Sequence, residues 1–427
     1  MTLIDLGEVR DVPPPEPSRR PPRRPPGRLL PCLAVLAFAL ATLTAATLPA
    51  ERVAAAVPAP PGAGLLVAGD LLLVVDPIGE RPTARTVTAY RLDGGEPLWR
   101  VPLPIDAGRL WSVPMGSDAV VLTGQETDGP GTSTMALDPA TGALRWRIPA
   151  GAVARAGDGL LVQTFGSGAD RGTVQVVDPC CGTLRWRVAT PAGEVSFRST
   201  DEDVDRVVFS DPGGRVEVRD AASGAVLAAA DLWSPEDQPY GSTQVVGDLL
   251  VTVGGTPPTV TAYGLDRLDR RWRVPIGDAR YATPCGPLVC VQSEGGRLRA
   301  LDPTTGTPRW TEDRWDGFWQ LGGVLVTDLD RPAGPSAEYV LLDPATGRVL
   351  GSWGQWEITG PDGPGGRLVG TRLYPGGGLL VAELDTTTHR ARPLDVLREA
   401  AGECQVARDR LVCRRIDGTV GLWRLPR

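Results

Sequence analysis

TMALDPATGALRWRI, residues 134–148, decides how this chain folds, together with the near copies LRALDPTTGTPRWTE at 298–312 and VQVVDPCCGTLRWRV at 174–188. Each opens on an alternating apolar run, the pattern of a strand with two unlike faces. Each then breaks at Asp-Pro followed by Gly. There the Asp side chain can bond its own following backbone, Pro presets φ and Gly takes positive φ. A second strand carries Trp, a large apolar plate suited to the space between packed sheets.

Outward from these three, the pattern recurs at 87–101, 216–230, 260–274 and 339–353, with a degraded copy at 381–395. The Asp-to-Trp step is eight residues for Asp138–Trp146, Asp178–Trp186 and Asp302–Trp310, and six for Asp93–Trp99 and Asp266–Trp272, which reads as a shortened turn. Periodicity makes Trp99, Trp146, Trp186, Trp272 and Trp310 structural. Upstream of each copy lies another apolar run, such as LLLVV at 71–75 and LLVTV at 249–253. A meander repeated at about 40 residues is a four-stranded propeller blade, too small to bury its own faces and stable only by stacking on neighbours.

The expected fold is therefore all-β, a closed β-propeller over residues 63–427. Eight repeats are full, and a ninth copy at 405–425 lacks its last strand. RVAAAV at 52–57 could supply that strand and make nine blades; alternatively the fragment replaces part of the first blade. Eight is the preferred number, within a range of seven to nine.

The N-terminal part reads differently. Residues 29–50 run 22 positions without a charge, enough to span a bilayer as one transmembrane signal-anchor helix. The Pro/Arg-rich tail, 1–28, has six Arg against four carboxylates and is expected to be disordered and to stay in the cytoplasm. Residues 51–62 look like an Ala/Pro-rich stalk leading to an extracytoplasmic body. A cleaved signal peptide is the alternative, because Ala54-Ala55-Ala56 offers a cleavage match. The expected setting is a single-pass membrane protein with a monomeric ectodomain.

Composition removes several chemistries. The chain has no Lys and no Asn, and His389 is its one imidazole, so Schiff-base chemistry is excluded and a Ser-His-Asp system would have to use His389. His389 falls four residues after Asp385, the place Gly holds in sister copies, and is read as a turn residue. A net charge of -7 argues against nucleic acid as partner.

Apart from Cys32 in the apolar run, the cysteines come in close pairs, Cys180/Cys181, Cys285/Cys290 and Cys404/Cys413. Close pairing in an exported body points to disulfides. Two-residue turns at Pro287-Leu288 and Arg408-Asp409 would set the latter two pairs directly opposite. Buried reduced thiols are the alternative. Cys180 and Cys181 replace Ala140-Thr141 of a sister copy, a turn position.

Five aromatics lie off the repeat, Trp315, Phe318, Trp319, Trp353 and Trp356, in or beside the connections leaving two adjacent copies. On one rim they would make a binding face for a protein or a sugar. Packing between blades is the competing and preferred reading. Trp233 and Tyr240 are further aromatics off the repeat.

The unit xVxALDPxTGxxRW resembles the repeat of quinoprotein-type propellers, which include pyrroloquinoline-quinone (PQQ) dehydrogenases and the outer-membrane assembly propeller lipoproteins; the likeness spans about residues 64–425. It implies the propeller, and either of two activities, since one fold serves many functions. The dehydrogenases hold calcium with acidic and Asn ligands, and this chain has no Asn. A vicinal disulfide near the cofactor, known in some of them, is the resemblance's implication for Cys180/Cys181; decoration of a blade turn is the preferred reading. The expectation is a non-catalytic binding or assembly scaffold without cofactor, for a protein or cell-envelope ligand; a PQQ-dependent oxidoreductase is the alternative.

Overall fold

Leu71–Val75 buries all five of its side chains, and the period of two explains how. Leu71, Leu73 and Val75 join one apolar cluster with Leu122, Met135 and Leu137, while Leu72 and Val74 join another with Val412, Val420 and Leu422. One strand thus feeds two cores, because a sheet covered on both faces needs no polar side.

The computed structural model describes residues 53–426 apart from 79–84, 104–106, 116–117, 127–130, 166–171, 191–193, 201–202, 234–238, 295, 316, 329–336 and 362–365. Among the described residues all regular structure is strand. The strands fall into antiparallel groups of four, spanning 64–102, 107–148, 151–189, 194–231, 239–275, 279–312, 319–356 and 357–397. The seventh and eighth groups share the long strand Val349–Pro361, and one parallel bridge, Arg155 to Asp203, joins the third to the fourth.

Ala400–Ala407, Arg410–Arg415 and Val420–Arg424 form a ninth group, whose fourth strand is Val53–Val57, paired Ala55 to Leu422 and Val57 to Val420. The preferred sequence reading, in which the C-terminal fragment replaces part of the first repeat, does not hold: 64–102 has four strands of its own. Residues 53–57, read as stalk, are sheet. Pairing this run with Val420–Arg424 closes an otherwise open strand edge and buries Val57.

Nine apolar clusters each join consecutive groups, the last linking the ninth to the first through Val57, Leu65, Leu72 and Leu422. The same junction carries hydrogen bonds of 2.6 Å from Gln405 Nε2 to the Leu65 carbonyl and from Arg414 Nη2 to the Ala63 carbonyl. Residues 1–52, including the proposed tail, the apolar run 29–50 and Cys32, lie outside the described residues. Among the described residues no helix is long and apolar enough to cross a membrane.

The repeat turn is a lock between neighbours. Gly142 has φ +73, and a Cβ there would lie 2.4 Å from Trp99; Gly182 meets Trp146, Gly224 Trp186, Gly306 Trp272 and Gly347 Trp310 in the same way. Each Trp ring nitrogen donates to the neighbour's turn, Trp99 to the Pro139 carbonyl at 2.9 Å and Trp272 to Pro303 at 2.7 Å. The turns read as shortened are not short. Gly95 N donates to the Arg91 carbonyl and Leu268 N to that of Gly264, the bond that Gly142 N makes to Asp138, so the step to Trp99 and Trp272 stays eight residues. Only the Asp has moved, by two positions.

Candidate functional site

Arg198 and Arg206 face each other across the first two strands of the fourth group, Glu194–Thr200 and Asp203–Ser210. Like charges in direct register repel, and three carboxylates, two on strands and one in a turn, compensate them. Arg198 donates from Nε to Asp205 Oδ1 at 2.9 Å and from Nη1 to Asp248 Oδ1 at 2.5 Å. Arg206 Nη1 lies 3.6 Å from Asp205 and 3.5 Å from Asp220. The Arg198 guanidinium holds the Asp205 carboxyl below the usual carboxylate range, against the opposing effect of burial.

These groups border a cleft of about 700 Å³ that crosses the fourth, fifth and sixth groups. Its far side is Arg271, which pairs with Asp266 at 3.2 Å and Asp269 at 3.3 Å. Between the charges lie Leu227, Leu249 and Leu265, with Pro303 and Thr304 from the sixth group's turn. Leu227 is 50% exposed, as are several aliphatics of the outer strands, and here it stands beside an apolar floor. The lining offers guanidinium and carboxylate groups already paired in ways a partner's charges can exchange, around an apolar strip. Such a lining is chemically complementary to aliphatic and acidic side chains; it holds no nucleophile with an adjacent base.

Residues singled out from sequence sit elsewhere. Trp315, Trp353 and Trp356 are buried, Phe318 is half-buried and Trp319 is 37% exposed, edge-on to Tyr339. No exposed rim of five aromatics forms. Trp353 and Trp356 fill the core between the seventh and eighth groups, and Trp315 that between the sixth and seventh. Trp353 takes the locking role two residues late, donating to the Asp385 carbonyl at 3.3 Å. Trp233 lines a separate cavity of about 130 Å³ with Thr252, Thr261 and Tyr263; the Tyr240 side chain lies outside the described residues. His389 is a turn residue at φ +59, as its spacing predicts.

Cys285–Cys290 and Cys404–Cys413 are disulfides, with Cα atoms 5.6 and 4.1 Å apart. The second pair is bracketed by the expected Arg408-Asp409 turn, with Ala407 opposite Arg410. The first is not directly opposite, because the turn is Gly286-Pro287 and Cys285 faces Leu288. Gly286, at φ +62, takes the positive φ that the first turn position demands. Cys180 and Cys181, candidates for a third bridge, are exposed free thiols in the third group's turn.

The cleft left weak traces in the sequence. Arg198 and Arg206 belong to no repeated position, whereas Asp248 holds the turn place of Asp70, Asp158 and Asp409, and Val226-Leu227 has a counterpart in Val349-Leu350.

Residues 83–312 match the family model described as outer membrane protein assembly factor BamB. No curated protein matches the chain. Among solved structures, BamB from Moraxella catarrhalis is similar at 16% identity and a TM-score of 0.37, over 84% of this chain and 93% of that one. The computationally designed Ika8 protein is similar at 16% identity and a TM-score of 0.40, over 72% of this chain and 93% of its own. With more than half of the 427 residues matched by the family model, on repeats whose strands and turns are now placed, the chain belongs to the PQQ-like propeller family of outer membrane protein assembly factor BamB.

Proposed function

We propose that this chain is a non-catalytic scaffold of the cell envelope, a closed nine-bladed propeller that docks a protein segment in the cleft between Arg198 and Arg271. Closure is supported by the ladder from Val53–Val57 to Val420–Arg424 and by the apolar cluster that the ninth group shares with the first. An exported, single-pass, monomeric arrangement is supported by the uncharged run 29–50 behind a basic flank and by two disulfides in the body. The family's description points to assembly work.

The observation that carries the reading is the cleft itself, with exposed Leu227 between paired arginines. Leu227→Glu and Arg271→Glu alter exposed side chains and leave the blade cores untouched. Cross-linking in the native envelope is expected to give a discrete adduct with the unaltered chain, reduced roughly tenfold by either substitution at unchanged melting temperature. Equal adducts from all three proteins would overturn the docking site. Turnover of a dye acceptor on adding PQQ and calcium would overturn the non-catalytic reading.

A further inference from the structure

The third repeat departs from its sisters in carrying two cysteines in its turn. In the second, seventh and eighth groups the turn Asp receives a hydroxyl from the residue three places on, Thr141 at 2.9 Å, Thr346 at 2.7 Å and Thr388 at 2.7 Å, and Ser223 does the same at 2.7 Å in the fourth. In the third group that residue is Cys181, its sulfur turned instead toward Thr183 Oγ1 at 3.3 Å, and the neighbouring position is Cys180. A thiol is a weak substitute for the capping hydroxyl. Both thiols are exposed, their sulfurs 2.7 Å apart, and a carboxylate oxygen of Asp178 lies within 4.8 Å of each. The rest of the turn is intact, with Cys180 N donating to Asp178 Oδ1 at 3.1 Å and Gly182 N to the Asp178 carbonyl at 2.8 Å.

We propose that Cys180, Cys181 and Asp178 form a surface site for a thiophilic d10 cation. Two thiolates and a carboxylate are a donor set that selects soft ions over calcium or magnesium. Binding a divalent ion releases both thiol protons to solvent, forms two metal–sulfur bonds and draws one oxygen from Asp178; water completes the shell. Bonds of about 2.3 Å at a tetrahedral angle need sulfurs roughly 3.8 Å apart, and two exposed side chains on a fixed turn can spread that far.

The test uses the full chain, isolated without reductant, with Cd2+ as probe. Maleimide is expected to label both turn thiols, and Cd2+ to raise a thiolate charge-transfer absorbance that saturates at one ion per chain and blocks the labelling. Cys180→Ser and Cys181→Ser, which restore hydroxyls like those of sister turns, are expected to abolish the absorbance. Asp178→Asn, which keeps an oxygen for the turn, is expected to weaken Cd2+ roughly 10- to 100-fold. Absorbance unchanged in either serine variant, or turn thiols found already joined as a disulfide in the isolated protein, would overturn the site.

Discussion

Gly142 leaves no room for a methyl group: at φ +73, a Cβ would meet the Trp99 ring at 2.4 Å. The same fit recurs wherever a tryptophan lies in the slot; without one, both partners change at two interfaces, while Gly95 stays glycine against Ala55. Ala228 takes the slot in the fourth group, and Leu268, at φ +55, fills the glycine's place in the fifth. In the seventh group the slot is Gly351, and the facing turn residue is His389, whose carbonyl and Cβ lie 3.0 and 3.1 Å from where a Gly351 Cβ would be. At these two interfaces the larger residue stands on the turn and not in the slot. Gly142→Ala is therefore expected to cost about 1–3 kcal/mol or more in urea unfolding, from strain and overpacking together. His389 was legible as a turn residue from spacing, whereas its large-for-small exchange with Gly351 was not, because one sequence does not display which residues face each other.

The same turns predict acid lability. Asp138 is lowered to about 2, chiefly by Arg145 and then Thr141, and Asp302 to about 2, chiefly by Arg309. A carboxyl lower in the folded than in the unfolded chain binds fewer protons when folded, so its contribution is whole above the unfolded value of 3.8 and is lost as pH falls toward about 2. Melting temperature is expected to fall across that window, and Asp138→Asn with Asp302→Asn to flatten the slope.

Among the elements, the outermost strands show how exposed sheet edges are managed. Arg145 and Arg147 flank Trp146, Arg185 and Arg187 flank Trp186, and Arg271 and Arg273 flank Trp272. Long charged side chains on an unpaired edge discourage edge-to-edge association. Strand and turn order was readable from sequence because each repeat states it again. Register was readable only where the turn was unambiguous, at Arg408-Asp409, and slipped where Gly286 and Pro287 both had claims on the turn. The two bridges staple the first two strands of their groups. Cys404→Ala with Cys413→Ala, opening the wider separation of nine residues, is expected to lower stability by about 2–3 kcal/mol. Urea midpoints with and without reductant check this, with the reductant effect reduced in the variant to that of Cys285–Cys290.

For the whole molecule, the strand that was hardest to place is the one that matters most. RVAAAV has neither the turn nor the tryptophan of the repeat, so Val53–Val57 offered no periodic signal, and its partner is set only by which edge is left over. The aromatics off the period follow the preferred packing reading: Trp315, Trp353 and Trp356 fill cores between groups. Deleting residues 53–57 would expose the edge at Val420–Arg424 and one side of the cluster around Leu65 and Leu72. The shortened protein is expected to melt lower and to form oligomers by gel filtration, whereas an open array that needed no closing strand would tolerate the loss.

Val53 pairs with Trp423, so an early stretch of chain has to wait for almost the whole remainder before it finds its place. As the chain is made, each blade can assemble as it emerges, but the seam stays unbuttoned until the distant partner arrives, and long-range pairings of this kind form slowly. The newly made protein thus passes through a vulnerable interval, with two sticky borders open to proteases and to neighbouring chains, whose length is governed by how fast the rest of the chain follows.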